Sequence, residues 1–267
     1  MQLDLHETMT NNLATNNLAT SDLGAVALLL DVDGTLIDIG STPTDVDVPA
    51  DLLASLERLI ELTGGAVALV SGRPIADLDR LFAPLRLPAI GGHGAEMRVN
   101  GEPPRHAAEP LPAALRKLLA DAAAPGSGII VEDKGYSLAL HYRAAPQDES
   151  RLRKHIAEGV AAFPDEPVEV LRGKAMLEVT RPGVSKGEGV RELMKHPPFR
   201  KRKPIFIGDD VTDESVFAVL PALGGEGFSV GREFHDLAGI FASPSEVRRT
   251  LQRLAGSGSE ARPEARA

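Results

Sequence analysis

Two aspartates separated by one residue are the first feature of this sequence that could carry out chemistry. Asp31 and Asp33 lie in the segment DVDGT, directly after an apolar run. In an extended chain alternate side chains point to the same face, so both carboxylates should point the same way. Gly34 then permits a tight turn, and Thr35 adds a hydroxyl group. The segment therefore offers two acids and a hydroxyl within one short stretch.

A second group of acids lies far along the chain, in the segment GDDVTDE. Asp209 and Asp210 follow another apolar run, and Asp213 comes about one helical turn later. Clustered carboxylates repel one another unless a cation neutralises them, and Mg²⁺ takes carboxylate oxygens and bridges to phosphate. The acidic segments are therefore compatible with a magnesium site, and in the alternative these aspartates cap helices or solvate turns. Asp210 is equally compatible with a helix N-cap and with a hydrogen bond to a metal ligand.

A hydroxyl and an amine could complete an anion site. Ser71 follows an apolar run in the segment SGR. The stretch from Ser185 to Glu188 is typical of a capping box, which places Lys186 in the first turn of a helix. Helix N-termini favour anions, and a lysine there adds a point charge. Asp213 is expected to orient Lys186 or metal-bound water. In the alternative, Ser71 is a simple loop hydroxyl and Lys186 is a solvated surface lysine.

Three short apolar runs precede these groups, at 25–30, 66–70 and 204–207. Runs of this kind are typical of strands buried on both faces, as in a parallel sheet. In open α/β sheets, ligands bind beyond the carboxyl ends of the strands. Helical patterns lie between the runs, at 49–62, from Pro74 onward, from 186 to about 195, and at 213–220. The pattern predicts an α/β core with the reactive residues at one edge of its sheet.

The stretch from about 105 to 180 has a different pattern. Helical spacing at 109–124 is followed by a strand near 129–131 and an alternating strand at 136–142. A second helical segment at 147–163 precedes a hairpin with strands at 168–171 and 175–180. The order αββαββ predicts an α+β unit inserted into the α/β core.

These patterns set the expected domain boundaries. The core should comprise 24–104 and 181–254, with the inserted cap domain at 105–180. Residues 1–23 contain the pentapeptide NNLAT twice, and residues 255–267 are rich in Gly, Ser, Glu and Arg. Both ends are too polar to build a core, so we expect disordered tails there.

The ordered set of segments resembles the haloacid dehalogenase superfamily of phosphatases, and it spans the whole expected core. Asp31 and Asp33 match the first motif of that superfamily and Ser71 matches the second. Lys186 matches the third, and Asp209 with Asp213 the fourth. The resemblance implies a Rossmann-like parallel-sheet core with an inserted α+β cap domain.

The resemblance also implies a mechanism. Asp31 would attack the phosphorus atom and form an aspartyl-phosphate, which splits one difficult step into two. Asp33 would protonate the leaving oxygen and later deprotonate the attacking water. Mg²⁺ would be held by Asp31, by the backbone carbonyl of Asp33 and by Asp209. The phosphoryl oxygens would be bound by Thr35, Ser71 and Lys186.

Within the superfamily, the closest resemblance is to trehalose-6-phosphate phosphatases. It is carried by the segments GGHGAE at 91–96, EDK at 132–134, HYR at 141–143, RGK at 172–174, and Glu178. It implies that Glu132, Lys134 and Glu178 bind the distal glucose, because carboxylates accept hydrogen bonds from vicinal hydroxyls and ammonium groups donate them. The entrance for phosphate and sugar would be lined by Arg143, Arg172 and Lys174. His93 and Glu96 would contact the substrate from the core. In the alternative, the charged residues on strands and turns are simply solvated.

Composition excludes several classes of function. The formal net charge of -9 gives no broad electrostatic surface for nucleic acid or anionic membranes. The absence of Cys excludes disulfides, thiolate metal sites and cysteine nucleophiles. No apolar run approaches the ~20 residues of a membrane span. The polar N-terminus lacks the pattern of a signal peptide, so we expect a cytoplasmic protein. We also expect a monomer whose partner is a small sugar phosphate.

The sequence thus favours Mg²⁺-dependent hydrolysis of trehalose 6-phosphate in trehalose biosynthesis. The nearest alternative is the same chemistry on sucrose, glucosylglycerate or mannosylglycerate phosphate. A phospho-accepting receiver domain is disfavoured, because receivers lack both an acid two residues after the acceptor and a cap of this size. A catalytically inactive sugar-binding subunit is disfavoured by the complete motif set.

Overall fold

A computed structural model describes residues 22–39, 46–99, 101–173 and 175–257. The chain divides into two compact units. The first runs up to Arg105 and resumes at Ser185, and the second is His106–Val184. From the sequence, the insertion was expected at 105–180. The NNLAT repeats and residues 258–267 lie outside the described residues.

The strands are β1 (Val26–Leu30), β2 (Val67–Val70), β3 (Ala89–Gly91), β4 (Glu96–Arg98), β5 (Arg105–His106), β6 (Ile130–Asp133), β7 (Ser137–His141), β8 (Glu169–Gly173), β9 (Met176–Thr180), β10 (Lys203–Gly208), β11 (Glu226–Val230) and β12 (Gly239–Phe241). The α-helices are α1 (Ala50–Leu62), α2 (Ile75–Leu81), α3 (Ala113–Ala120), α4 (Glu149–Ala161), α5 (Lys186–Leu193), α6 (Glu214–Val219) and α7 (Pro244–Ser257).

The first unit is built on a sheet with the strand order β12-β11-β10-β1-β2-β3-β4-β5. The strands from β12 to β3 pair in parallel, and β4 is antiparallel to β3. In the middle of the sheet, Leu30 of β1 is paired with Ile207 of β10 and with Leu69 of β2. The carboxyl ends of these three strands therefore lie side by side, which confirms the predicted parallel core.

The sheet is covered on both faces by helices. Leu28 and Leu30 of β1 belong to one apolar cluster, which includes side chains of α1 and α7. Leu29 belongs to a second cluster, which includes side chains of α5 and α6. Both β1 faces are fully buried, as its uninterrupted apolar run predicts. The result is a helix–sheet–helix core.

Several elements differ from the sequence expectations. Strands β3, β4, β5, β11 and β12 were not predicted, since runs of two to five residues carry too little periodicity. Residues 255–257, which were expected to lie in the C-terminal tail, belong to α7, which continues to Ser257. Val247, Leu251 and Leu254 are buried at helical spacing along α7, and this apolar stripe sustains the helix into the polar segment.

The second unit has the predicted order αββαββ. Its antiparallel sheet has the strand order β6-β7-β9-β8. Leu138 and Leu140 of β7 pack with Leu115 of α3 and Leu152 of α4 in one apolar cluster. Helices therefore cover one face of the sheet, and the alternation along β7 directs its other side chains to the opposite face.

None of the helices in the described ranges combines the length and apolar character needed to cross a membrane.

Candidate active site

A buried ion pair joins the end of β1 to the start of α5. Asp31 directly follows β1, and its backbone N–H donates to the carbonyl of Ile207 at 2.9 Å. The Nζ of Lys186 lies 2.6 Å from Oδ1 of Asp31. Both side chains are 4% exposed. The predicted N-cap holds Lys186 in place, since Oγ of Ser185 accepts the N–H of Glu188 at 3.1 Å.

Asp213 organises the turn after β10. Its Oδ1 accepts a hydrogen bond from Lys186 at 2.7 Å. Its Oδ2 accepts the backbone N–H groups of Asp209 at 2.9 Å and Asp210 at 3.0 Å. The predicted contact with Lys186 is thus present. Asp210 is exposed and occupies the N-cap position of a short 3₁₀ helix at 211–213, which is one of the two roles left open by the sequence.

Three carboxylates converge at this edge of the sheet. Oxygens of Asp31, Asp209 and Asp213 all lie within 4.8 Å of one another. With Lys186 as the neighbouring cation, three carboxylates and one ammonium leave two negative charges uncompensated. Carboxylate oxygens are the ligands that hard divalent cations prefer. The donor set and its charge therefore fit a divalent metal ion.

The burial and close spacing of these charged groups also shift their pKa values. Burial and the carboxylate of Asp213 raise the pKa of Asp31 well above its ordinary value of 3.8, although Lys186 opposes the shift. Burial and Asp213 raise the pKa of Asp209 to about 6. Burial by itself would lower the pKa of Lys186. The carboxylates of Asp213 and Asp31 outweigh this effect and raise the pKa of the amine. A bound cation would offset the cost of ionising these carboxylates.

The loop after Asp31 contacts Asp209 directly. The buried hydroxyl of Thr35 donates to Oδ1 of Asp209 at 3.3 Å. Gly34 has φ +82°, and a Cβ there would stand 2.2 Å from Oδ2 of Asp209. Only glycine allows the first and fourth motifs to approach this closely.

Asp33 lies apart from the carboxylate cluster in its side-chain contacts. Both of its oxygens accept hydrogen bonds from the guanidinium of Arg73, each at 2.6 Å. This is the bidentate geometry in which arginine recognises carboxylates most strongly. Arg73 is a site residue that the four sequence motifs do not include. Its position in the segment SGR, directly after β2, is the sequence feature that could have indicated this role.

Ser71 directly follows β2 and is 1% exposed. Its backbone N–H donates to the carbonyl of Ile90 at 2.8 Å, and its Oγ accepts the N–H of Arg73 at 3.1 Å. The hydroxyl is thus fixed at the end of the strand beside β1.

His93 and Glu96 contact the segment around Ser71. Oε2 of Glu96 accepts the backbone N–H of Ile75 at 2.8 Å. The ring of His93 lies against Gly72, where an added Cβ would stand 2.4 Å from Nε2. Both residues are half-buried.

The second unit carries a separate polar cluster on the sheet face opposite its helices. Glu132 and Glu178 are each paired with Ala139 of β7, so they lie in one row across the sheet. Nζ of Lys134 lies 3.6 Å from a carboxylate oxygen of each glutamate. Lys134 and Glu178 are largely buried. The structure thus brings together the three residues expected to bind glucose.

Two further side chains join this cluster. Ser137 donates to Oε1 of Glu178 at 2.6 Å. Nε2 of His141 lies 3.1 Å from Oε2 of Glu132, and this hydrogen bond is the main reason that the pKa of Glu132 is lowered. Both positions lie two residues from Ala139 on β7, which is the periodicity that could have revealed them.

Two residues of the expected entrance, Arg143 and Arg172, are not part of this cluster. Arg172 on the edge strand β8 is paired with Leu177, whose side chain lies in the apolar core. Paired residues share a sheet face, so Arg172 lies on the face opposite to Glu178. Arg143 is exposed in the turn after β7. Lys174 lies outside the described residues.

Comparison with known proteins identifies the family. The family model described as trehalose-phosphatase matches residues 29–236. A probable trehalose-phosphate phosphatase of Sinorhizobium fredii is 41% identical over 212 residues, which cover 79% of this chain and 79% of that protein. The trehalose-6-phosphate phosphatase of Escherichia coli is 39% identical over 211 residues, which cover 77% of each chain.

Solved structures agree on the fold. The C-terminal domain of a C. albicans trehalose-6-phosphate phosphatase superposes with a TM-score of 0.74 at 24% identity, covering 92% of this chain and 96% of that chain. A trehalose-6-phosphate phosphatase related protein superposes with a TM-score of 0.68 at 26% identity, covering 87% of this chain and 98% of that chain. The family match spans both compact units and all four core motifs. The chain therefore belongs to the trehalose-phosphatase family of the haloacid dehalogenase superfamily and is a phosphoric monoester hydrolase.

Proposed function

We propose that this chain hydrolyses trehalose 6-phosphate to trehalose and inorganic phosphate with the help of Mg²⁺. The observation that carries the proposal is the convergence of Asp31, Lys186 and Asp209 at the carboxyl ends of β1 and β10. Family membership supports the substrate, since the relatives bear the names of trehalose-phosphate phosphatases. The reaction would serve trehalose biosynthesis.

In the first step, a carboxylate oxygen of Asp31 attacks phosphorus. A bond forms between that oxygen and phosphorus, and the bond between phosphorus and the sugar oxygen breaks. Asp33, after taking up a proton from solvent in the substrate complex, gives that proton to the departing sugar oxygen. In the second step, water attacks phosphorus, Asp33 takes a proton from it, and the bond to Asp31 breaks. Inorganic phosphate leaves and both aspartates return to their starting states.

The resting contacts of Asp33 are those of an ionised carboxylate, so it must loosen its pairing with Arg73 and take up a proton before it acts as the acid. Its carboxylate is fully engaged by Arg73, so it is held at the same sheet edge as the nucleophile without joining the metal cluster. Breaking one of the two hydrogen bonds to Arg73 would free an oxygen of Asp33 to take up the proton that then passes to the sugar oxygen.

Mg²⁺ fits the carboxylate cluster, and Asp31 and Asp209 are the residues that would hold it, together with the backbone carbonyl of Asp33. Asp213 is a weaker candidate ligand, because both of its oxygens already accept hydrogen bonds. When bound, the ion supplies positive charge that offsets the negative charge on the phosphoryl group.

The phosphoryl oxygens are assigned to Thr35, Ser71 and Lys186. Each is held by the fold before substrate arrives, so little reorganisation is needed at the moment of reaction. Of the three, Lys186 should bind the phosphoryl oxygens most strongly, since its pKa is raised and its side chain stays positively charged.

Sugar recognition is assigned to the polar cluster of the second unit. Glu132, Lys134 and Glu178 offer acceptors and donors suited to vicinal hydroxyls, and Ser137 and His141 extend the set. Arg143, Arg172 and Lys174 remain predicted contacts for the phosphate and the sugar.

The test is phosphate release from a panel of substrates with Mg²⁺ present. The panel comprises trehalose 6-phosphate, sucrose 6-phosphate, glucosylglycerate phosphate, mannosylglycerate phosphate, glucose 6-phosphate and p-nitrophenyl phosphate. We expect the highest kcat/KM for trehalose 6-phosphate. A higher value for another sugar phosphate would overturn the substrate assignment, and no release from any phosphoester would overturn the enzyme assignment.

A further inference from the structure

Residues 91–96, which we call the bridging loop, hold the segment that carries Ser71. The backbone N–H of Gly92 donates to the carbonyl of Arg73 at 3.0 Å, and the N–H of His93 donates to the carbonyl of Ser71 at 3.1 Å. The main chain on either side of the serine hydroxyl is thus anchored at two points.

Two side chains of the same loop complete the anchor. Helix α2 begins at Ile75 behind Pro74, whose side chain makes no capping hydrogen bond. The carboxylate of Glu96 takes the place of a cap by accepting the N–H of Ile75 at 2.8 Å. The ring of His93 presses on Gly72, which leaves no room for a Cβ there. The segment 71–75 is therefore held by the bridging loop along its whole length.

The other side of the bridging loop meets the start of α5. Gly94 has φ +107°, and a Cβ there would stand 2.1 Å from the carbonyl oxygen of Ser185. Ser185 is the N-cap of the helix whose first residue is Lys186. The same six-residue loop thus contacts both the segment of Ser71 and the segment of Lys186.

We propose that Glu96 is a positioning residue for phosphate binding. Its carboxylate fixes the N-terminus of α2, and through it the Ser71 hydroxyl and the Arg73 guanidinium that pairs with Asp33. This inference rests on the proposed function, because it assigns a role within that same site. It replaces the substrate contact expected from the sequence with an indirect action on the binding of the phosphoryl group, which every substrate shares.

Three variants of Glu96 separate these roles. Glu96→Ala removes the acceptor, Glu96→Asp keeps the charge but shortens the reach, and Glu96→Gln keeps an oxygen that accepts the Ile75 N–H. Glu57→Ala, at an exposed position of α1, is the matched control for loss of a carboxylate.

The readouts are kcat/KM for trehalose 6-phosphate and for p-nitrophenyl phosphate, and the Kd of inorganic phosphate by calorimetry with Mg²⁺. We expect Glu96→Ala and Glu96→Asp to lower both kcat/KM values by the same factor, about tenfold or more, and to weaken phosphate binding by a similar factor. Glu96→Gln and Glu57→Ala should stay close to wild type.

The proposal would be overturned if the variants lowered kcat/KM for trehalose 6-phosphate but not for p-nitrophenyl phosphate. It would also be overturned if Glu96→Gln lowered kcat/KM for trehalose 6-phosphate alone. Either result would mean that Glu96 contacts the sugar. Unchanged phosphate binding in Glu96→Asp would overturn it as well. If Glu96→Ala does not fold, as judged by circular dichroism, the Asp and Gln variants still decide. Phosphate binding needs no turnover, so a wild-type chain that hydrolyses nothing refutes the proposed function while this comparison still tests the inference.

Discussion

Gly34 and Asp209 lie so close together that a Cβ on residue 34 would stand 2.2 Å from the aspartate Oδ2. The two residues are 175 positions apart in the chain, since 209 minus 34 is 175. The contact joins the turn after the proposed nucleophile to the acid that follows β10. It makes the position of Asp209 depend on the absence of a side chain in the first motif.

Gly34→Ala should therefore remove most activity by displacing Asp209. We expect a fall in kcat/KM of about 100-fold or more, because small misplacements at a phosphoryl-transfer site are costly. Gly101→Ala is the matched control, since Gly101 also has a positive φ of 68° but, among the described residues other than its chain neighbours, no atom lies within 4 Å of its added Cβ. Equal losses in the two variants would mean that backbone strain, and not the contact, is responsible.

Asp31→Asn should abolish turnover while leaving the chain folded. The amide keeps the size of the side chain but cannot attack phosphorus, and Lys186 keeps its second partner Asp213. Phosphate release measures the first expectation and thermal unfolding by circular dichroism the second. Asp121→Asn, at an exposed position after α3, should be fully active. Wild-type activity in Asp31→Asn would rule out the nucleophile assignment.

Activity should depend on a metal ion that binds to Asp209 and not to its neighbour Asp210. EDTA should inactivate the enzyme and added Mg²⁺ should restore it. Asp209→Asn should raise the Mg²⁺ concentration needed for half-maximal activity by about tenfold or more, because it removes a charged ligand. Asp210→Asn should behave as wild type, since Asn serves equally well at an N-cap. The opposite ranking would exchange their roles.

Glu178→Ala should affect the sugar and not the phosphate. We expect KM for trehalose 6-phosphate to rise about tenfold, which corresponds to the loss of roughly one charged hydrogen bond. KM for p-nitrophenyl phosphate should stay within about twofold of wild type. Glu158→Ala, on the exposed side of α4, is the control. An equal rise for both substrates would argue against a sugar-binding role.

The first unit should lose stability at low pH, because a buried arginine in it pairs with an aspartate. Arg98 is 3% exposed and donates to Asp79 from both terminal nitrogens, at 2.7 and 2.5 Å. The hydrogen bond from Arg98 lowers the pKa of Asp79 below its ordinary value of 3.8. A lowered pKa means that the contribution to stability is present above the ordinary value and is lost as the pH falls through the folded value.

Asp79→Asn should thus lower the free energy of unfolding by about 2 kcal/mol at neutral pH. The difference from wild type should begin to shrink below about pH 4, where the unfolded state takes up a proton, and should disappear once the pH falls below the lowered pKa of the folded state. Urea unfolding between these pH values measures it. The exposed pair of Asp77 and Arg80 supplies the control Asp77→Asn, with an expected change of less than about 1 kcal/mol. A constant difference at all pH values would contradict the assignment.

Much of the fold follows from local patterns. The apolar runs before Asp31 and Asp209 are strands because residues buried on both faces need no alternation. The alternation in β7 and the N-cap at Ser185 are equally local, since they involve residues two or three positions apart. Three-residue strands such as β3 and β12 escaped prediction because their stability comes from neighbouring strands and not from their own sequence.

The sequence by itself determined the types of reactive group, their order along the chain and the strand ends that carry them. Only the tertiary structure decided that Asp33 pairs with Arg73, that Glu96 caps α2, and that Arg172 lies on the helix-covered face of its sheet. The physical reason is the separation along the chain of the residues that each interaction involves. Periodicity determines which way a side chain points relative to its own strand or helix, whereas its partner is determined by how distant segments pack against one another.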